Sequence, residues 1–174
     1  MQYYAPDEDV LVQWDHGAPG VMAVLAEAAL LVLEQDAPSA DPPADVSGWL
    51  SSSLKAAECA WERGLLTKGL MMCHGIGGNT YMQLRLAGLL ARVQAAAAGA
   101  ALPAFDPPKY TWRALQFQQF VMATPEVSDP ALMRYPTPNP YAFYVASFES
   151  GAYVFNDLLK HRDDPAGACQ AAYC

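Results

Sequence analysis

The sequence predicts an all-α chain, and three observations predict it. Apolar residues recur at helical rather than alternating spacing, Pro- and Asp-rich stretches separate those runs, and two runs open with the same glycine-rich lead-in. The first run, Gly20–Glu34, is apolar nearly all round, as a helix with neighbours on several sides would be. The second, Trp49–Leu66, carries Leu50, Leu54, Ala57, Trp61 and Leu65 on one stripe. Its other face holds Ser52, Lys55, Glu58 and Arg63, which marks an outer helix. The third, Asn79–Ala98, is again apolar, with only Arg85 and Arg92 charged. The fourth, Tyr110–Ala123, is aromatic-rich and amphipathic, and the fifth, Gly151–His161, is short.

The linkers Gln35–Val46, Ala101–Lys109 and Thr124–Pro140 are rich in proline, which cannot continue a helix. The Ala/Gly run Ala95–Ala101 either extends the third helix or is compositional, and the sequence leaves both readings open. Inner and outer helices therefore alternate along the chain. Nested rings of helical hairpins require that order, because an inner helix touches neighbours on all sides and an outer one faces water.

Composition narrows the function classes. Hydrophobic residues make up 53% of the 174 residues, enough for a core, whereas charged residues at 16% are few for a free-standing domain. A net charge of -8 with no basic cluster argues against nucleic acid or anionic lipid as the partner. Met1–Asp9 lacks the pattern of a signal peptide, and Val21–Leu33, the most apolar stretch, is too short to span a membrane and contains Glu27. A cytoplasmic protein is expected, with Cys59, Cys73, Cys169 and Cys174 as free thiols or metal ligands.

Asp15-His16-Gly17-Ala18-Pro19-Gly20 precedes the first helix and Cys73-His74-Gly75-Ile76-Gly77-Gly78-Asn79 the third, 58 residues on; Phe148-Glu149-Ser150-Gly151 is a degenerate third copy. Glycines there let backbones pass closely where helix N-termini converge. Converging N-termini present unpaired N–H groups and partial positive charge, which favour a thiolate. Cys73 and His74 are adjacent. On a helix they would diverge by about 100°, but on a lead-in loop both can turn inward as zinc ligands. The simpler reading makes Cys73 a buried small residue and His74 a hydrogen-bonding cap. His16 repeats the position of His74 and is either an acid–base group or a helix-start hydrogen bonder.

These residues resemble the LanC-like (lanthionine synthetase C-like) family. The resemblance rests on Leu11–Val21, on Glu58-Cys59-Ala60 with Gly64-Leu65-Leu66 and Lys68-Gly69, on Cys73-His74-Gly75 with Gly78-Asn79, and more weakly on Phe148-Glu149. It implies a partial α/α toroid, residues 1–174 forming a single partial domain with its core at about residues 10–161 and a tail at 162–174. Family members are longer, and this chain resembles their C-terminal part. The resemblance further implies zinc held by two cysteines and a histidine, with glutathione or a peptide thiol as substrate and thioether formation with dehydroamino acids as the reaction. Carried over, Cys73 and His74 are metal ligands, and Lys68 and Arg134 contact glutathione. Position 15 departs from the pattern: Asp15 stands where the family has its first ligand cysteine, either as a replacement ligand or as the mark of a weakened site.

Two function classes follow: a zinc-dependent thiol transferase, or a non-catalytic remnant or partner-binding helical piece. A glycosidase on a similar toroid would need paired inner carboxylates, and only Asp15 and Glu149 offer themselves.

Overall fold

A computed structural model describes residues 11–35, 44–66, 72–97 and 101–124. Among them the chain forms four α-helices and no strand: α1 (Ala18–Gln35), α2 (Ala44–Arg63), α3 (Ile76–Ala96) and α4 (Pro107–Ala123). The four correspond to the first four predicted segments. The fifth, Gly151–His161, lies outside the described residues.

The helix ends differ from the sequence expectation for local reasons. α2 starts at Ala44 rather than Trp49: Val46 in its first turn is fully buried, and Asp45 complements the helix N-terminus. α2 then stops at Arg63, so Leu65, expected on the buried stripe, lies beyond the helix and is exposed. α3 begins at Ile76 and takes in Gly77 and Gly78; the Ala/Gly run extends it only to Ala96. α4 begins with Pro107 and Pro108, where the missing N–H groups would have been unpaired in any case.

α1 packs on α2, α3 on α4, and α1 on α3. The inner pair α1 and α3 run side by side in the same direction with no shift between the repeats. Arg85 bonds Glu27 at 2.5 Å and Arg92 bonds Glu34 at 2.6 Å, and each pair is separated by 58 residues, the spacing of the two lead-in motifs. Equivalent positions of the two repeats thus face each other along the whole seam. The outer helices are bridged by Glu58, which accepts from Lys109 at 2.7 Å and from the buried Arg113. The Arg113 guanidinium also lies over the rings of Trp61 and Tyr110. Trp61 stacks on Phe117, and Phe117 and Val121 pack with Ile76, so the end of α4 lies beside the start of α3.

The core between these layers contains Met22, Ala26 and Leu30 of α1, Leu50, Ala57 and Ala60 of α2, and Leu86, Leu90 and Val93 of α3. α3 is the most enclosed helix. α1 is open on one flank, with Val21 49%, Val24 67% and Leu31 49% exposed. The residues 58 further on, Asn79, Met82 and Leu89, are all buried. α1, at 18 residues, does reach the length and apolarity of a membrane span, contrary to the sequence expectation. A third of it is buried: one face packs against α2 and α3, and its two carboxylates are in ion pairs.

Candidate metal centre

Both lead-in loops lie at the same end of the helix array. The Asp15 N–H donates to the Cys73 carbonyl at 3.4 Å, which ties the loop before α1 to the turn before α3. The loop is further shaped by a Gln13 N–H to His16 carbonyl bond and by Gly17, whose φ of +137° suits glycine. Gly20 and Gly78 occupy matching places. A Cβ on Gly20 would overlap the carbonyl of Trp14, and one on Gly78 the carbonyl of Met72, so each glycine lets its loop fold back onto its own helix.

Asn79 locks this arrangement. It is fully buried, and its Nδ2 donates to the carbonyls of Val12 at 2.8 Å and Gly64 at 2.9 Å. One side chain therefore joins the end of α2, the approach to α1 and the start of α3. Sequence reading placed Asn79 in the motif without assigning it a duty. The available signal was an amide in the first turn of a largely apolar helix, where an unpartnered polar group would be costly.

The loops bring three donor atoms together. The Asp15 carboxylate, Cys73 Sγ and an imidazole nitrogen of His74 all lie within 4.8 Å of one another. His74 Nδ1 is 2.8 Å from Cys73 Sγ, and His74 Nε2 is 3.2 Å from Asp15 Oδ2. Cys73 and His74 sit on a turn, before the helix begins, which is why neighbours in sequence serve one point. His16 also belongs to the cluster. Its Nδ1 is 3.0 Å from Asp15 Oδ1, and its ring stacks on that of His74 with centroids 5.6 Å apart. Asp15, Cys73 and His74 are partly open to solvent, and His16 is more exposed still.

The donor set fits zinc. Bonds of about 2.0–2.3 Å in a tetrahedron place ligand atoms roughly 3.3–3.8 Å apart. The three atoms lie within 4.8 Å, and because Cys73 faces Nδ1 and Asp15 faces Nε2, the imidazole would turn for one nitrogen to share an ion with both. Oxygen, sulfur and nitrogen are all accepted zinc donors, and three of them leave one position open. Without a cation, burial pushes the Cys73 thiol above its ordinary pKa, and the Asp15 charge raises it further. A divalent cation would reverse both effects. The backbone contributes in the same sense, because the N-cap Gly75 has no side chain to satisfy the first N–H groups of α3.

An open groove of about 560 Å³ runs along the α1–α3 seam from Trp14 past Val24, Leu31 and Met82; Asp15, His16, Cys73 and His74 do not line it. Lys68, Arg134 and Glu149 lie outside the described residues, as do Cys169 and Cys174. Cys59, half-buried on α2 with the Arg63 guanidinium near its sulfur, is not part of the cluster.

Comparison with known proteins agrees with the residue pattern. The family model for lanthionine synthetase C-like proteins matches residues 2–98, a stretch that includes Asp15, His16, Cys73 and His74. The Danio rerio protein named glutathione S-transferase LANCL1 is 32% identical over 123 residues, covering 68% of this chain and 24% of that relative. The chain therefore spans about a quarter of the relative's length. With a matching family model over more than half its residues, this all-helical chain belongs to the lanthionine synthetase C-like family.

Proposed function

We propose that Asp15, Cys73 and His74 hold a zinc ion and that the site serves thioether formation, adding the thiol of glutathione or of a peptide to a dehydroamino acid. The observation that carries this reading is the convergence of the three donor atoms within 4.8 Å at the open end of two helix lead-ins. In such an addition the sulfur joins the β-carbon and a proton joins the α-carbon, so no oxidant or leaving group is needed. Zinc supplies the positive charge that stabilises a thiolate at neutral pH.

The chain's own residues have distinct duties in this reading. Cys73 and Asp15 each bring one negative charge and His74 a neutral imidazole. The site therefore keeps the charge of a two-cysteine, one-histidine set even though residue 15 is aspartate. A carboxylate is a harder, less donating ligand than a thiolate, so the ion is held less firmly. Asn79 holds both lead-in loops at the spacing that the donor set needs. Lys68 and Arg134 are proposed to meet the glutathione carboxylates, and His16 is the group nearest the ligands for proton handling or for support. The protein is proposed to act in the cytoplasm, where Cys73 stays reduced.

The test is zinc content of the full chain and of Asp15→Ala, Cys73→Ser and His74→Ala, with glutathione addition to a dehydroalanine peptide as the activity readout. Near-stoichiometric zinc in the parent chain and its loss in each variant are expected. A parent chain with no zinc above background overturns the reading. The open flank of α1 favours a second one: a non-catalytic helical unit that docks on a partner through Val21, Val24 and Leu31. Bound zinc without any thiol addition, in a chain that self-associates, would select it.

A further inference from the structure

We propose that His16 is a positioning residue for the metal carboxylate: its Nδ1–H holds Asp15 Oδ1, which leaves Oδ2 for the ion. The proposal rests on the metal reading above and deepens it. One carboxylate is gripped by two imidazoles, one per oxygen. His74 Nε2 stands 3.2 Å from Oδ2, on the ligand side, and His16 Nδ1 stands 3.0 Å from Oδ1. The 58-residue repeat brings the two histidines together but gives them different duties. Their rings stack at 5.6 Å with planes 29° apart, so the ligand imidazole also fixes the plane of its counterpart.

The need for such a support follows from residue 15. The Asp15 side chain is partly exposed, and a carboxylate with one free oxygen can rotate toward water or chelate through both oxygens. A hydrogen bond to Oδ1 removes both alternatives. The backbone prepares the donor, because Gln13 N–H to His16 carbonyl and Asp15 N–H to Cys73 carbonyl bonds hold the loop on either side of the side chain. Groups that orient a ligand from outside typically contribute 10–100-fold in metal affinity, and about that range is expected here.

Cobalt(II) serves as the spectroscopic probe on the full chain. His16→Ala is expected to bind cobalt about 10–100-fold more weakly with unchanged helix content, since the His16 side chain is 57% exposed and outside the core. His16→Asn places a donor nitrogen as many bonds from the backbone as Nδ1 and is expected to restore most of the affinity. His16→Gln places it one bond further and should restore less. Nitrogen-15 NMR of the cobalt-free protein should show His16 carrying its proton on Nδ1. Equal cobalt affinity in the parent chain and His16→Ala overturns the role, as does His16→Asn no better than His16→Ala. A parent chain that takes up no cobalt overturns the metal reading itself, and that outcome is separate from the other two.

Discussion

Replacing Asn79 by alanine is expected to destabilise the chain and to loosen the metal centre together. The amide donates to two buried carbonyls, those of Val12 and Gly64, at 2.8 and 2.9 Å. Truncation leaves both acceptors without their donor, and each buried unpaired group costs about 1–3 kcal/mol. The Asn79 Oδ1 is itself buried with no protein partner, so its removal returns part of that cost. The net loss should therefore be about 2–4 kcal/mol, near the upper end for a single buried polar truncation. Urea unfolding followed by circular dichroism measures it, with an unchanged m-value showing that the same surface unfolds. Val12 lies three residues before Asp15, so cobalt affinity should fall in the same variant. A loss below about 1 kcal/mol with parent-like cobalt binding would show that water or backbone movement replaces the amide, and would refute the locking role.

The pH dependence of stability should come in part from Glu58, whose carboxyl is held below its ordinary pKa by the hydrogen bond from Arg113, aided by Lys109, against the opposing effect of burial. A lowered folded pKa means stability fully present above the unfolded carboxyl range and lost as pH falls through the folded value. Urea midpoints measured from neutral to acid pH should fall there, and Glu58→Gln should flatten that part of the curve. Gly78→Ala should cost about 1–3 kcal/mol, read as a lower melting temperature, because the new Cβ would overlap the Met72 carbonyl. Asp15→Cys should raise zinc affinity in a competition titration, since thiolate suits zinc better than carboxylate, without raising glutathione addition.

The helices were legible in the residues because burial on a one-sided helix repeats every three to four positions, as in Trp49–Leu66, and because Gly20–Glu34 and Asn79–Ala98 are apolar nearly all round over a length that suits buried helices. Their ends were less so. Val46 draws α2 back to Ala44 because it finds a core to enter, and no local signal records that core. The prolines at 107 and 108 looked like linker and instead start α4, because proline is a breaker inside a helix and a good first residue.

The candidate site divides in the same way. The paired lead-ins, the departure at Asp15 and the adjacency of Cys73 and His74 are properties of order along the chain, so the sequence alone displays them. Whether residues 58 apart meet depends on the shift between two helices, which nothing local sets. The bonds of Arg85 to Glu27 and Arg92 to Glu34, the Asn79 amide across three segments, and the close packing at Gly20 and Gly78 together set that shift to zero. Only through that register does Asp15 reach Cys73 and His74, and does His16 come to rest on the carboxylate rather than in water.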